Sequence, residues 1–328
     1  MSVPETSLGG SRGPVLNRNP ASRIVLRPNV VRLHSRMLND RSRTGRFLAA
    51  IPQVVHPGDV VVDLGTGTGI LAIAAARAGA RRVYAIEAGP VGEVARRMFV
   101  ANGVDDRVVL VSGESTRVEL PERADVLVTE IFGNGPLGES VLEATADARR
   151  RFLKPGARVL PNALRIFGVP AAFSEAERRK YVFTPDNTRC WRAWYGMDFS
   201  PLGAVAPNAL LPFHLDPRRV RRCQPLTAPT LLAEINLQSH EEPKVASRVS
   251  TAALRSGTLN ALVIYFELQL GPSIILTTNP ATAGADNHWL TPIYFFVTPL
   301  PLRQGDAVEL VYRYTRGRGE RIDIARVD

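Results

Sequence analysis

The chain has 328 residues, 45% of them apolar and 22% charged, with a formal net charge of +10. That length suits two domains of ordinary size, and that composition excludes wholesale disorder. No run of about 18 apolar residues occurs, which argues against a membrane span. The first residues, MSVPETSLGGSRGP, lack an apolar core, so no secretory leader is expected. Two cysteines, Cys190 and Cys223, make neither a disulfide framework nor a clustered zinc site. The expectation is a soluble cytoplasmic protein with no membrane contact and no metal.

In chain order, residues 1–28 are rich in Pro, Gly, Ser and Asn and predict a mobile arm. Residues 1–50 hold nine arginines against Glu5 and Asp40, a net +7. Only Phe47 is aromatic there, so the interleaving expected of a nucleic-acid binder is missing. A few well-placed arginines suit an anionic group on a ligand, such as a carboxylate. Residues 30–50 carry apolar side chains at helical spacing. From 59 to 160 strands and helices alternate. Val60–Leu64, Arg82–Glu87, Val108–Val111, Asp125–Thr129 and a stretch near 157–160 read as strands. Helices fall at Ile70–Ala78 and near 90–102 and 138–152. This pattern predicts a parallel sheet with crossover helices over 29–160. After Asn162, short strands dominate (Leu231–Leu237, Leu262–Gln269, Pro292–Thr298 and Ala307–Tyr314), predicting an all-β sandwich or barrel over 161–328. Residues 174–194 interrupt it with an amphipathic helical stretch.

Four clusters carry chemistry. The first is Val60-Val61-Val62-Asp63-Leu64-Gly65-Thr66-Gly67-Thr68-Gly69, a strand running into a glycine turn and a helix. Such a turn lets backbone approach a ligand, and Glu87, ending the next strand, can accept from two ribose hydroxyls. Alone, this fits a tight turn without a ligand, a dinucleotide site or another nucleoside cofactor. The second is Glu130-Ile131-Phe132-Gly133-Asn134-Gly135-Pro136-Leu137-Gly138-Glu139, two carboxylates bracketing a Gly/Pro-rich loop. Converged, they form the planar receptor that a guanidinium needs; unconverged, they are a strand end and a favourable helix start. The third, Asn287-His288-Trp289, and the fourth, His34-Ser35-Arg36-Met37-Leu38-Asn39-Asp40-Arg41-Ser42-Arg43-Thr44, are individually a structural histidine and a solvated helix.

Together the four resemble the protein arginine methyltransferase family, over about residues 30–328. Asp63, Gly65, Gly67 and Gly69 match its loop for S-adenosylmethionine (SAM), as in class I methyltransferases. Glu130 and Glu139 match its double-glutamate loop in order and spacing, and Asn287-His288-Trp289 its Thr-His-Trp loop, with Asn for Thr. His34, Met37, Asp40 and Arg43 match its H-x-x-M segment, the aspartate partner of the loop histidine and the arginine for the SAM carboxylate. The chain departs from the family at Ile24, Val25 and Pro28, where an aromatic lid is usual. It departs again at Thr116, where many members hold adenine with a glutamate; Glu114 and Ser115 are the nearby alternatives.

The resemblance implies a Rossmann-like SAM domain followed by a β-barrel, with a helical dimerisation arm at about 172–194 and hence a homodimer. It implies SAM as cofactor, S-adenosylhomocysteine as product, and no metal. Glu130, Glu139, His288 and Asp40 would be catalytic, and Phe132 and Trp289 would contact substrate. His34, Met37, Arg43, Asp63, Gly65, Gly67, Gly69, Glu87, Glu114 and Ser115 would hold the cofactor. Bacterial relatives of this kind methylate free L-arginine in natural-product biosynthesis. A net charge of +10 opposes Arg-rich partners and favours that small zwitterion, with one or more of Arg23, Arg27, Arg32 and Arg36, or an arginine of the barrel instead, at its carboxylate. A protein or peptide arginine is the alternative, and an inactive methyltransferase-fold scaffold a second.

Overall fold

The structure, a computed structural model, describes residues 27–202 and 212–327. It opens with two helices, α1 (Pro28–Asn39) and α2 (Arg41–Val54), over the stretch whose apolar spacing is helical. Asp40 makes the break. It follows α1 and caps α2, its carboxylate accepting the Arg43 backbone N–H at 2.9 Å and so satisfying an amide that a helix start leaves bare. Phe47, Ala50 and Ile51 bury one side of α2, whereas α1 buries no residue.

Strands and helices then alternate. They are β1 (Val60–Leu64), α3 (Ile70–Arg77), β2 (Arg82–Glu87), α4 (Gly92–Ala101), β3 (Val108–Ser112), β4 (Ala124–Thr129), α5 (Val141–Phe152) and β5 (Leu153–Leu160). The strands form an all-parallel sheet in the order β3-β2-β1-β4-β5. Every residue of the central β1 is buried, as a strand covered on both faces requires. The chain leaves β1 towards β2 and β3, then returns to its other side with β4. That reversal opens a crevice at the carboxyl ends of β1 and β4. The glycine turn follows β1 and the Glu130–Glu139 loop follows β4, so topology alone brings both to one place.

The remaining strands are antiparallel. They are β6 (Ala163–Ala172), β7 (Phe213–Leu215), β8 (Gln224–Pro225), β9 (Thr230–Asn236), β10 (Lys244–Ala252), β11 (Gly257–Gln269), β12 (Ile275–Thr277), β13 (Thr291–Leu302), β14 (Ala307–Thr315) and β15 (Gly319–Val327). One sheet runs β7-β13-β11-β6-β8, with β12 on β11 and β9 on β6; the other runs β10-β14-β15. A single buried apolar cluster continues from the parallel sheet into both of them. The helical stretch predicted at 174–194 is two helices, α6 (Glu175–Arg178) and α7 (Pro185–Tyr195). Asn187 of α7 reaches back to accept the Thr184 backbone N–H at 2.8 Å, which starts the second helix afresh. Among the described residues no helix is long and apolar enough to cross a membrane.

Candidate active site

A cavity of about 420 Å³ lies at the crevice, and a second of about 360 Å³ adjoins it. Gly65, Glu87, Ile131 and Glu139 line both, so the two are halves of one cleft of ligand-binding size.

The glycine turn forms the floor. Gly65 has φ +75°, and a Cβ on it would lie 2.5 Å from Cγ2 of Ile131, so only glycine keeps this turn open. Asp63 beneath it is buried. The Thr66 hydroxyl donates to its Oδ2 at 2.5 Å, while Oδ1 has no partner. Burial pushes the Asp63 carboxyl up to about 7 against the pull of Thr66. Glu87 ends β2 with both oxygens fixed by backbone N–H groups, Gly67 at 2.9 Å and Gly89 at 2.6 Å. Its remaining lone pairs can still accept from a diol. Helix α1 roofs the turn, with His34, Arg36 and Met37 lining the larger cavity. Burial lowers the His34 pKa more than the nearby Glu87 raises it.

In the smaller cavity, Ser115 and Thr116 lie beside Gly113, Ile86 and Ala88. Glu114 turns outward instead, exposed and paired with Arg117 at 3.0 Å. Of the two alternatives offered for the missing adenine ligand, Ser115 reaches the cleft and Glu114 does not. Glu143 of α5 and Arg316 of the β14–β15 turn also line this half. Sequence reasoning passed over both. Neither belongs to a motif of the sequence, and nothing local marks them.

Glu130 is buried and ion-paired with Arg43, itself buried. Oε1 of Glu130 and Nε of Arg43 are left without partners. Burial lowers the Arg43 pKa to about 10, so the guanidinium keeps its charge at neutral pH. After Glu130 the loop doubles back: a Cβ on Gly133 would lie 3.0 Å from Oε1 of Glu139. Ser140, in the left-handed region at φ 57°, completes that turn. Glu130 and Glu139 thus line the same cavity, and partial burial raises the Glu139 pKa.

His288 joins from the antiparallel part. Its ring Nδ1 lies 2.8 Å from Oδ2 of Asp40, and its backbone N–H donates to the same oxygen at 3.1 Å. Burial works to raise the Asp40 pKa, but these bonds and that from Arg43 outweigh it and hold the carboxyl below its ordinary value. Burial lowers the His288 pKa, with Asp40 opposing. Trp289 Nε1–H donates to the Phe132 carbonyl at 2.9 Å, and the Leu290 N–H to Asn134 Oδ1 at 2.8 Å, tying the histidine loop to the glutamate loop. Phe132 and Trp289 are largely buried yet line the cavity. Of the candidates for a ligand carboxylate, Arg36 lines the cavity and Arg27 and Arg32 do not. Arg23, Ile24 and Val25 lie outside the described residues.

Residues 177–324 match the family described as arginine methyltransferase oligomerization subdomain, and residues 42–160 match ribosomal protein L11 methyltransferase (PrmA). The chain is 33% identical to an arginine N(omega)-methyltransferase of Streptomyces achromogenes subsp. streptozoticus, over 87% of this chain and 77% of that one. The chain belongs to the protein arginine methyltransferase family. It is 27% identical to a probable protein arginine N-methyltransferase 6 of Arabidopsis thaliana, over 85% of this chain and 72% of that one. Its fold is shared with the Trypanosoma brucei PRMT1 enzyme–prozyme heterotetrameric complex with AdoHcy, at TM-score 0.73 and 22% identity, covering 90% and 98% of the two chains. As an arginine methyltransferase it is SAM-dependent, and the cleft fits that cofactor. The glycine turn leaves backbone bare of side chains, Glu87 is fixed at the strand end, and Nε of the buried Arg43 lacks a partner.

Proposed function

We propose that this arginine methyltransferase acts on free L-arginine, placing a methyl group on a terminal guanidino nitrogen, and that it works as a homodimer in the cytoplasm. The observation that carries the guanidinium site is the presence of Glu130 and Glu139, from one loop, in one cavity beside the glycine turn. The choice of free arginine is supported by the Streptomyces relative, which is named for arginine itself. The proposed division is a SAM-binding part over 29–160 and a substrate part over 161–328, preceded by the arm 1–28.

SAM, when bound, supplies an electrophilic methyl group; His34, Met37, Gly65, Gly67, Gly69, Glu87 and Ser115 would hold it, with Arg43 at its carboxylate and Asp63 supporting the turn. A guanidinium is always protonated, and its delocalised charge makes it a poor nucleophile. Glu130 and Glu139 accept from different N–H groups, fix one terminal nitrogen and draw charge to the others. Positioning in a cleft shielded from water does most of the rest. Phe132 and Trp289 close the wall behind the guanidinium. Methylation leaves an acidic proton on the nitrogen. Glu139 can take it, as can Nε2 of His288, whose Nδ1–H donates to Asp40.

The homodimer is supported by the arm. Trp194, Tyr195 and Met197 are 66%, 61% and 62% exposed at the end of α7, a large apolar area left bare. Leu48, Ile70 and Met98 line an apolar groove outside the parallel sheet, which a second copy's arm would cover.

The deciding experiment incubates the protein with SAM and L-arginine and identifies the product by mass and fragmentation. N-omega-methyl-L-arginine is expected. Methylation of arginine peptides only would transfer the reading to a protein substrate, which the similarity to the Arabidopsis relative favours.

A further inference from the structure

We infer that Arg36 is the receptor for the α-carboxylate of the substrate, and that it thereby selects a free amino acid over an arginine within a peptide. This rests on the free-arginine reading above. Three acids line the larger half of the cleft, Glu87, Glu130 and Glu139; among the described lining residues of that half Arg36 is the one arginine or lysine, and Arg316 lines the smaller half, away from Glu130. Its Nη2 donates to the His288 carbonyl at 3.2 Å. That bond holds the side chain against the histidine loop and uses one of the five N–H donors a guanidinium carries. Leu33 and Leu290 line the same cavity and suit the methylene chain of arginine. The cavity is therefore polarised, with carboxylates for a guanidinium and one fork-shaped cation for a carboxylate.

A peptide bond offers Arg36 no charge. Helix α1 also repels the alternative substrate: the stretch PNVVRLHSRMLN contains Arg32 and Arg36 and no acid, and Arg27 precedes it. An Arg-rich chain approaching this roof meets like charge, whereas an isolated zwitterion does not.

The test compares kcat/KM for L-arginine, agmatine and an arginine-containing peptide in the wild type, Arg36→Gln and Arg32→Gln. Agmatine keeps the guanidinium and lacks the carboxylate. The wild type is expected to prefer arginine over agmatine by roughly 100-fold or more. Arg36→Gln should collapse that ratio towards one, while Arg32→Gln, exposed on the same helix, keeps it. An Arg36→Gln ratio as large as in the wild type overturns the assignment. So does an equal loss on arginine and agmatine, because the side chain would then serve the fold or the cofactor. A collapse in Arg32→Gln too would make the effect one of general charge and overturn it as well. If the wild type turns over the peptide and neither small guanidine, the free-arginine reading itself fails and takes the assignment with it. That result is distinct from the others because it appears before any substitution is made.

Discussion

Arg43 and Glu130 neutralise each other inside the cleft, their side chains only 8% and 4% exposed. Removing one partner of such a pair leaves a buried charge, which costs about 3–5 kcal/mol, whereas replacing both with apolar groups is often nearly neutral. Arg43→Leu should therefore lower the denaturation midpoint sharply, and Arg43→Leu with Glu130→Leu should recover most of the loss while remaining inactive. Urea unfolding of the three proteins checks this; a double variant no more stable than the single one would mean the pair is not coupled. Glu139 gives a pH prediction. It must be ionised to hold a cation, and burial raises its pKa above the ordinary 4.5. A proton bound there removes the charge, so kcat/KM for arginine should fall as pH drops through a value above 4.5. His288 does not set that limit at neutral pH, because burial lowers its pKa below 6.5 and leaves the ring neutral there. A pH–rate profile whose acid limb lies at or below 4.5 would remove Glu139 from the binding of the cation.

At the level of elements, the glutamate loop is braced from below by β13, β14 and β15. The Leu137 N–H donates to Oε1 of the half-buried Glu320 at 3.2 Å, and the Tyr294 hydroxyl lies 3.5 Å from Oε2. The Tyr314 hydroxyl donates to Glu143 at 3.0 Å, just beyond the loop. Burial raises the Glu320 pKa, more than the Leu137 N–H and the Tyr294 hydroxyl lower it. Glu320→Leu should cost about 1–3 kcal/mol of stability by orphaning these groups and should reduce kcat more than SAM affinity. Glu320→Gln keeps an acceptor and should keep most activity. Calorimetry and steady-state rates read both, and equal losses in the two variants would contradict the bracing role. None of this was legible in the sequence, where Leu137 and Glu320 stand 183 residues apart. The parallel sheet was legible, because strands buried on both faces are short apolar runs such as Val60–Leu64. The strands β10 and β15 were not, since KVASRVSTA and GERIDIARV present no apolar run and stay largely open to solvent. Asp40, His288, Glu130 and Glu139 were readable as a set only through the family's motif order. The pairing of Arg43 with Glu130 depends on the fold and was not.

Across the whole molecule, α7 ends in exposed Trp194, Tyr195 and Met197, and a groove beside α3 is lined largely by apolar residues. Two copies exchanging them would bury both by a two-fold arrangement that closes on itself. Sedimentation at micromolar concentration should give a dimer, and deletion of residues 185–195 a monomer with weakened SAM binding. A wild-type monomer would contradict the arrangement. The roof over the cleft differs from everything beneath it. Because α1 buries no residue, little apolar area holds it down, which is the condition for local opening. Its backbone amides should exchange with deuterium faster than those of α2 or α3 in the free protein, and slow markedly once S-adenosylhomocysteine fills the space below. Equal protection of α1 and α2 would show a rigid roof. If α1 lifts on its own timescale, it sets a clock for the whole cycle, because spent cofactor would leave no faster than α1 opens, however quickly the methyl group moves.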